Sequence, residues 1–143
     1  MATAAPPFVL CVDDDADDRH FMADAIRDLH TTLQMAEATN GKEALQFLEQ
    51  AKQIGTLPCL ILLDLNMPVM NGKEVLIKIK QDDALKDIPT VVFTTSSSEL
   101  DKLFCNRYQV EIITKPPQYD AFVATVQKLI NYCFRDKNES ASN

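Results

Sequence analysis

Short apolar runs and helical stripes alternate along the chain. Phe8-Val-Leu-Cys-Val12 is an unbroken apolar stretch that predicts a strand, and Phe21, Ala25, Ile26 and Leu29 then recur at helical spacing as one inward face. Leu33 to Ala38 alternates as a second strand and stops at Asn40-Gly41, after which Ala44, Leu45, Leu48 and Ala51 mark a second helix that Gly55 and Pro58 end. Cys59-Leu-Ile-Leu-Leu63 reads as a buried third strand, followed by a helix with Val75, Leu76 and Ile79 inward. Pro89 introduces the strand Thr90 to Thr94. Ser96 and Glu99 have the spacing of a capping box, which predicts a helix with Leu100, Leu103 and Phe104 facing the core. Val110 to Ile113 is the last strand, and Phe122, Val126, Leu129, Ile130 and Cys133 line the last helix.

Five strand-helix units in succession predict one α/β domain, because right-handed crossovers place helices on both faces of a parallel sheet. The expected arrangement is a flavodoxin-like, doubly wound five-stranded sheet of order 2-1-3-4-5, whose switch point brings the ends of strands one and three together. The domain is expected over residues 8–134, with residues 1–7 and 135–143 as flexible termini.

Composition narrows the function classes. The 143 residues suit one domain, and 46% hydrophobic residues suffice for a core. A net charge of −7 with no basic stripe argues against direct nucleic-acid binding. No secretory leader and no apolar run of spanning length is present, so a cytoplasmic protein without membrane insertion is expected. Cys11, Cys59, Cys105 and Cys133 are widely scattered and read as reduced, small apolar residues. His20 and His30 have no partner at metal-ligand spacing.

Candidate chemistry gathers where strands end. Asp13, Asp14 and Asp15 follow the first strand and Asp64 closes the third, positions that face ligands in open parallel sheets. Carboxylates concentrated there repel one another unless a cation offsets them, and a hard divalent ion such as Mg²⁺ takes oxygen ligands of this kind. Asp15, Asp17 and Asp18 fit equally well as ordinary first-turn acids of the following helix. Thr94 and Lys115 end the fourth and fifth strands. A carboxylate nucleophile attacking phosphorus needs a metal, a hydroxyl donor and a fixed cation for the phosphoryl oxygens, and Asp64, the acidic pair, Thr94 and Lys115 supply those parts.

These residues together resemble the CheY-like receiver domain of two-component response regulators. The resemblance rests on Val12-Asp13-Asp14-Asp15, on Leu63-Asp64-Leu-Asn66-Met67-Pro68 with Gly72 beyond, on Thr94-Thr95 and on Lys115-Pro116, with Asn40-Gly41-Lys-Glu-Ala44 as a fifth similar segment. It implies a stand-alone response regulator in which Asp64 accepts a phosphoryl group from a phosphohistidine of a sensor histidine kinase or phosphotransfer protein. It implies Mg²⁺ held by Asp13, Asp14, Asp64 and the backbone carbonyl of Asn66, with Thr94 and Lys115 on the phosphoryl oxygens. It further implies a cis Lys115-Pro116 bond, no enzymatic activity beyond the protein's own phosphorylation and dephosphorylation, an unidentified downstream protein, and a monomer or weak homodimer.

Two departures qualify the resemblance. The aromatic residue common three positions before the lysine is replaced by Ile112, and Arg107-Tyr-Gln-Val-Glu111 stands where a small Gly-Ala approach is usual. A phosphorylation-independent interaction module is therefore the alternative. A third class, an aspartyl-phosphate phosphatase, wants an acid two residues after the nucleophile, where this chain has Asn66.

Overall fold

The computed structural model describes residues 6–29, 32–95 and 98–134. Five strands, β1 (Phe8–Val12), β2 (Gln34–Ala38), β3 (Leu60–Leu63), β4 (Thr90–Thr94) and β5 (Glu111–Thr114), form one parallel sheet of order β2-β1-β3-β4-β5. Between and after them run α1 (Ala16–Leu29), α2 (Gly41–Ile54), α3 (Gly72–Gln81), α4 (Glu99–Arg107), α5 (Tyr119–Leu129) and a short α6 (Asn131–Phe134).

The apolar strands alternate between two cores because successive side chains point to opposite faces. Leu10, Val12, Ile61, Leu63 and Val92 pack under α2, α3 and α4, while Val9, Cys11, Leu60, Leu62, Val91 and Phe93 pack under α1 and α5. The three central strands are thus covered on both sides, which is why they read as continuous apolar runs. Asn40 and Asn71 cap α2 and α3 through side-chain bonds to the N–H groups of Glu43 and Glu74.

Several expectations are corrected. α1 turns Met22, Ala25 and Ile26 inward, and Phe21 is 47% exposed, leaning on Tyr119 and Phe122 at its flank. Ser96 lies outside the described residues; the cap of α4 is Ser98, whose side chain accepts from Asp101 N–H. The helix presents Asp101 and Cys105 inward, keeps Phe104 half-buried against the core as expected, and leaves Leu100 and Leu103 exposed; Lys73 pairs with the inward Asp101 at 2.8 Å. β5 begins one residue later than expected, and the last helix breaks at Ile130, before α6. The Lys115-Pro116 bond is trans, the form that X-Pro bonds prefer.

The cysteines are not all reduced. Cys59 and Cys133 are joined by a disulfide across a sequence separation of 74, with Cα atoms 5.0 Å apart, within the usual range. Spacing along the chain concealed the pair because topology brings the entrance of β3 beside α6. Cys11 and Cys105 are buried thiols, as expected.

Candidate functional site

The sheet ladder continues one residue beyond the strands at the positions that matter. Asp13 N–H donates to Ala38 O at 3.0 Å, Asp64 N–H to Val12 O at 3.0 Å, and Lys115 N–H to Thr94 O at 2.8 Å. Each of these backbones is therefore held by a neighbouring strand, and the side chains of Asp13, Asp64 and Lys115 start from fixed points on three elements. Thr94, the last residue of β4, is fully buried beside them in the β4-β5 register.

Asp13, Asp14 and Asp64 bring one carboxylate oxygen each to within 4.8 Å of one another. Lys115 lies among them. Its Nζ donates to Asp13 Oδ2, to Asp18 Oδ2 at 2.8 Å and to Asp64 Oδ2 at 3.3 Å, and its side chain is only 5% exposed. The other oxygens accept from the backbone, Asp13 Oδ1 from Asp15 N–H at 2.9 Å and Asp64 Oδ1 from Asn66 N–H at 3.2 Å. Asp14 and Asn66 are exposed, so the cluster opens to solvent on that side.

Electrostatics follow from burial and from this crowding. Burial pushes the Asp13 carboxyl above the ordinary carboxylate value, with hydrogen bonds from Lys115 and Asp15 only partly offsetting it. Burial alone depresses a lysine, yet the bonds to Asp13 and Asp18 and the charge of Asp64 outweigh it and hold the Lys115 ammonium protonated well above its usual range. One ammonium thus faces several carboxylates, a site with surplus negative charge.

That surplus fits a divalent cation. The donors are carboxylate oxygens on two adjacent strand ends, with a solvent-facing side where water can complete a coordination shell. Oxygen-only donors without His or Cys favour a hard ion over a softer transition metal.

Two glycines shape the loop that carries Asp64. A Cβ on Gly72 would lie 2.2 Å from Asp64 O and 2.7 Å from Leu65 Cα, so α3 can start against the Asp64 backbone only without a side chain. Gly41 likewise admits Met70 O, which its N–H contacts at 3.2 Å. Between them Val69 adopts φ 71°, a left-handed conformation that a β-branched residue rarely takes.

Sequence reasoning undervalued two residues. Asp15 is the first-turn acid it resembles, accepting from the N–H groups of Asp17 and Asp18, but Asp18 itself turns back to Lys115. Arg19 donates to the Asp13 carbonyl at 2.8 Å and pairs with Glu37 at 3.0 Å, pinning the loop after β1. The available signal was spacing: residues five and six positions after Asp13 lie on the first turn of α1, directly over the strand end. Ile112 is half-buried against the core cluster that also holds Phe104 and Tyr108.

Comparison with known proteins shows the family of the chain. Residues 9–127 match the family described as response regulator receiver domain. Response regulator Rcp1 of Synechocystis sp. is 38% identical over 98 residues, 67% of this chain and 67% of its own length. The phosphorylated cyanobacterial phytochrome response regulator RcpA superposes with a TM-score of 0.82 at 31% identity, covering 90% of this chain and 94% of that one. A Mn²⁺-bound form of Rcp1 gives 0.79 at 32% identity, with the same coverage.

Proposed function

The chain belongs to the response regulator receiver family, and on that footing we propose that Asp64 is the residue that accepts the phosphoryl group. Receiver domains bind a divalent metal and accept phosphate from histidine kinases; the homologues of this chain include stand-alone response regulators. The observation that carries the assignment is the meeting of Asp64 with Asp13, Asp14 and Lys115 at the carboxyl end of the sheet.

In the proposed reaction a carboxylate oxygen of Asp64 attacks the phosphorus of a phosphohistidine. The new O–P bond forms as the N–P bond breaks, and the histidine leaves as a neutral imidazole after taking a proton. Asn66 N–H fixes the other Asp64 oxygen and so orients the nucleophile. Asp13, Asp14, Asp64 and the Asn66 carbonyl are the proposed holders of Mg²⁺, which when bound neutralises phosphoryl charge. Lys115 moves from its carboxylate partners toward a phosphoryl oxygen, and the Thr94 hydroxyl donates to another. The new charge draws Thr94 and its loop inward, shifting the chain toward a second conformation with an altered binding surface.

The proposed donor is a sensor histidine kinase or phosphotransfer protein and the recipient of the signal a downstream protein, with the chain acting in the cytoplasm as a monomer or weak homodimer. It turns over no substrate beyond its own phosphoryl group. The test is transfer of labelled phosphoryl from a phosphorylated histidine phosphotransfer domain. Label is expected on the chain with Mg²⁺, and not with chelator or in Asp64→Asn; label on Asp64→Asn would remove the assignment.

A further inference from the structure

We propose that Cys59 and Cys133 form a reversible redox site, a dithiol that exchanges with low-molecular-weight disulfides and fastens or releases the C-terminal helix at the base of the sheet. The site lies at the amino ends of the strands, opposite the carboxylates and Lys115.

The two cysteines sit on very different supports. Cys59 immediately precedes β3, and its N–H donates to Phe8 O at 2.9 Å, so its backbone belongs to the sheet. Cys133 lies on α6, which has no buried residue. Besides the disulfide, a bond from Tyr132 Oη to Glu111 Oε1 at 3.3 Å ties α6 back to β5. Tyr132 and Cys133 also pack, half-buried, against the core on the α1 and α5 side, so opening the disulfide leaves the sheet intact and loosens a short helix docked at its edge, the behaviour expected of a bond that acts locally.

Both redox forms of Cys59 are accommodated. Its Sγ lies 3.2 Å from Phe8 O, a distance at which a thiol S–H donates to a carbonyl. The reduced residue thus has a partner for its proton where it stands, and the oxidised one needs none. Cys59 is fixed to the sheet through its backbone, whereas Cys133 lies on α6, which has no buried residue, so Cys133 is the sulfur able to swing toward an incoming disulfide. Both residues are half-buried, whereas Cys11 and Cys105 are buried, Cys11 with its thiol pushed up to about 12, mainly by burial. The other two cysteines are accordingly poor competitors. A disulfide in a protein that works in the cytoplasm, as proposed above, is of the kind more often transient than structural.

The exchange balances with oxidised glutathione as the oxidant. The Cys133 thiolate attacks one glutathione sulfur and expels a glutathione thiolate, which takes up the proton Cys133 lost. Cys59 then loses its proton and attacks the mixed disulfide at Cys133, closing the bond and expelling the second glutathione. Two protein thiols are oxidised and one glutathione disulfide is reduced to two thiols.

The test is a redox titration of the full chain in reduced and oxidised glutathione, quenched in acid, denatured and alkylated, with intact mass and peptide mapping. Four alkyl groups are expected at the reducing end and two, on Cys11 and Cys105, at the oxidising end, because two of the four cysteines lie in the bond. The midpoint should fall within the range glutathione mixtures cover, and amide exchange in residues 131–134 should quicken roughly tenfold on reduction. Cys133→Ser, far from the carboxylates, should show the fast exchange under all conditions while its β1 and β3 amides keep the protection they have in the reduced parent chain. Four alkyl groups throughout, two even in excess reduced glutathione, or exchange in α6 indifferent to the redox state would each overturn the proposal.

Discussion

Replacing Lys115 by Met removes the ammonium and keeps an unbranched side chain of similar bulk. At 3.3 Å from Asp64 and an effective dielectric of about 20, one such contact is worth about 5 kcal/mol before desolvation is charged against it. Lys115 and Asp13 have side chains 5% exposed and Asp64 9%, so little water replaces the lost partner, whereas the contact with Asp18, at 25%, is partly screened. Removing one partner of a buried pair costs about 3 kcal/mol net, and that is the expected loss in urea unfolding at neutral pH with chelator present. Magnesium should restore more stability to the variant than to the parent protein, since the ion then supplies positive charge that Lys115 no longer provides. Acid should narrow the gap. Asp13 is already raised by burial and rises further without Lys115, so the folded variant takes up a proton at higher pH than the unfolded chain does. Its added stability is therefore present at low pH and lost as pH climbs through the folded value. Equal stability of the two proteins in chelator, or equal gains with magnesium, would show that Lys115 does not offset the buried carboxylates.

Further expectations concern the loop around Asp64 and the base of the sheet. Gly72→Ala forces a Cβ to within 2.2 Å of Asp64 O and should cost about 2 kcal/mol in thermal or urea unfolding, with phosphorylation by a small phosphodonor slowed as Asp64 is displaced. Val69→Gly relieves a positive φ and should raise stability by about 0.5 kcal/mol, the relief of about 1–2 kcal/mol being partly offset by the extra freedom glycine loses on folding; a lower melting temperature would show that φ to be unstrained. Cys133→Ser should lower unfolding free energy under oxidising conditions by about 4 kcal/mol, the chain-entropy value for a loop of 74 residues, and have little effect under reducing ones.

Much of the molecule could be read from its residues because local pattern and global fold agree. The three inner strands declared themselves as apolar runs since both faces are covered; strand order is not written in the residues, and 2-1-3-4-5 is expected because it sets two acid-bearing strand ends side by side, as the sheet does. Asp13, Asp14, Asp64 and Lys115 meet as their strand-end positions required. The sequence was less legible where a three-dimensional partner overrides local pattern. Leu100 and Leu103 have helical spacing, but α4 is rotated so that Asp101 meets Lys73, a contact between separate helices. Phe21 gave up the core to Met22 and took Tyr119 and Phe122 as neighbours. Asp18 looked like a helix-start acid, and only the position of Lys115 reveals its second contact. The disulfide joins residues far apart in the chain, and spacing alone carries no trace of it.

Phosphoryl uptake by Asp64 in a divalent-metal site is read from the intact mass of the purified chain and of Asp64→Asn after incubation with acetyl phosphate, each with Mg²⁺ and with chelator. One phosphoryl adduct is expected, formed with Mg²⁺ on the parent chain alone. An adduct that persists in Asp64→Asn, or that forms equally well without a divalent ion, would contradict this role of Asp64.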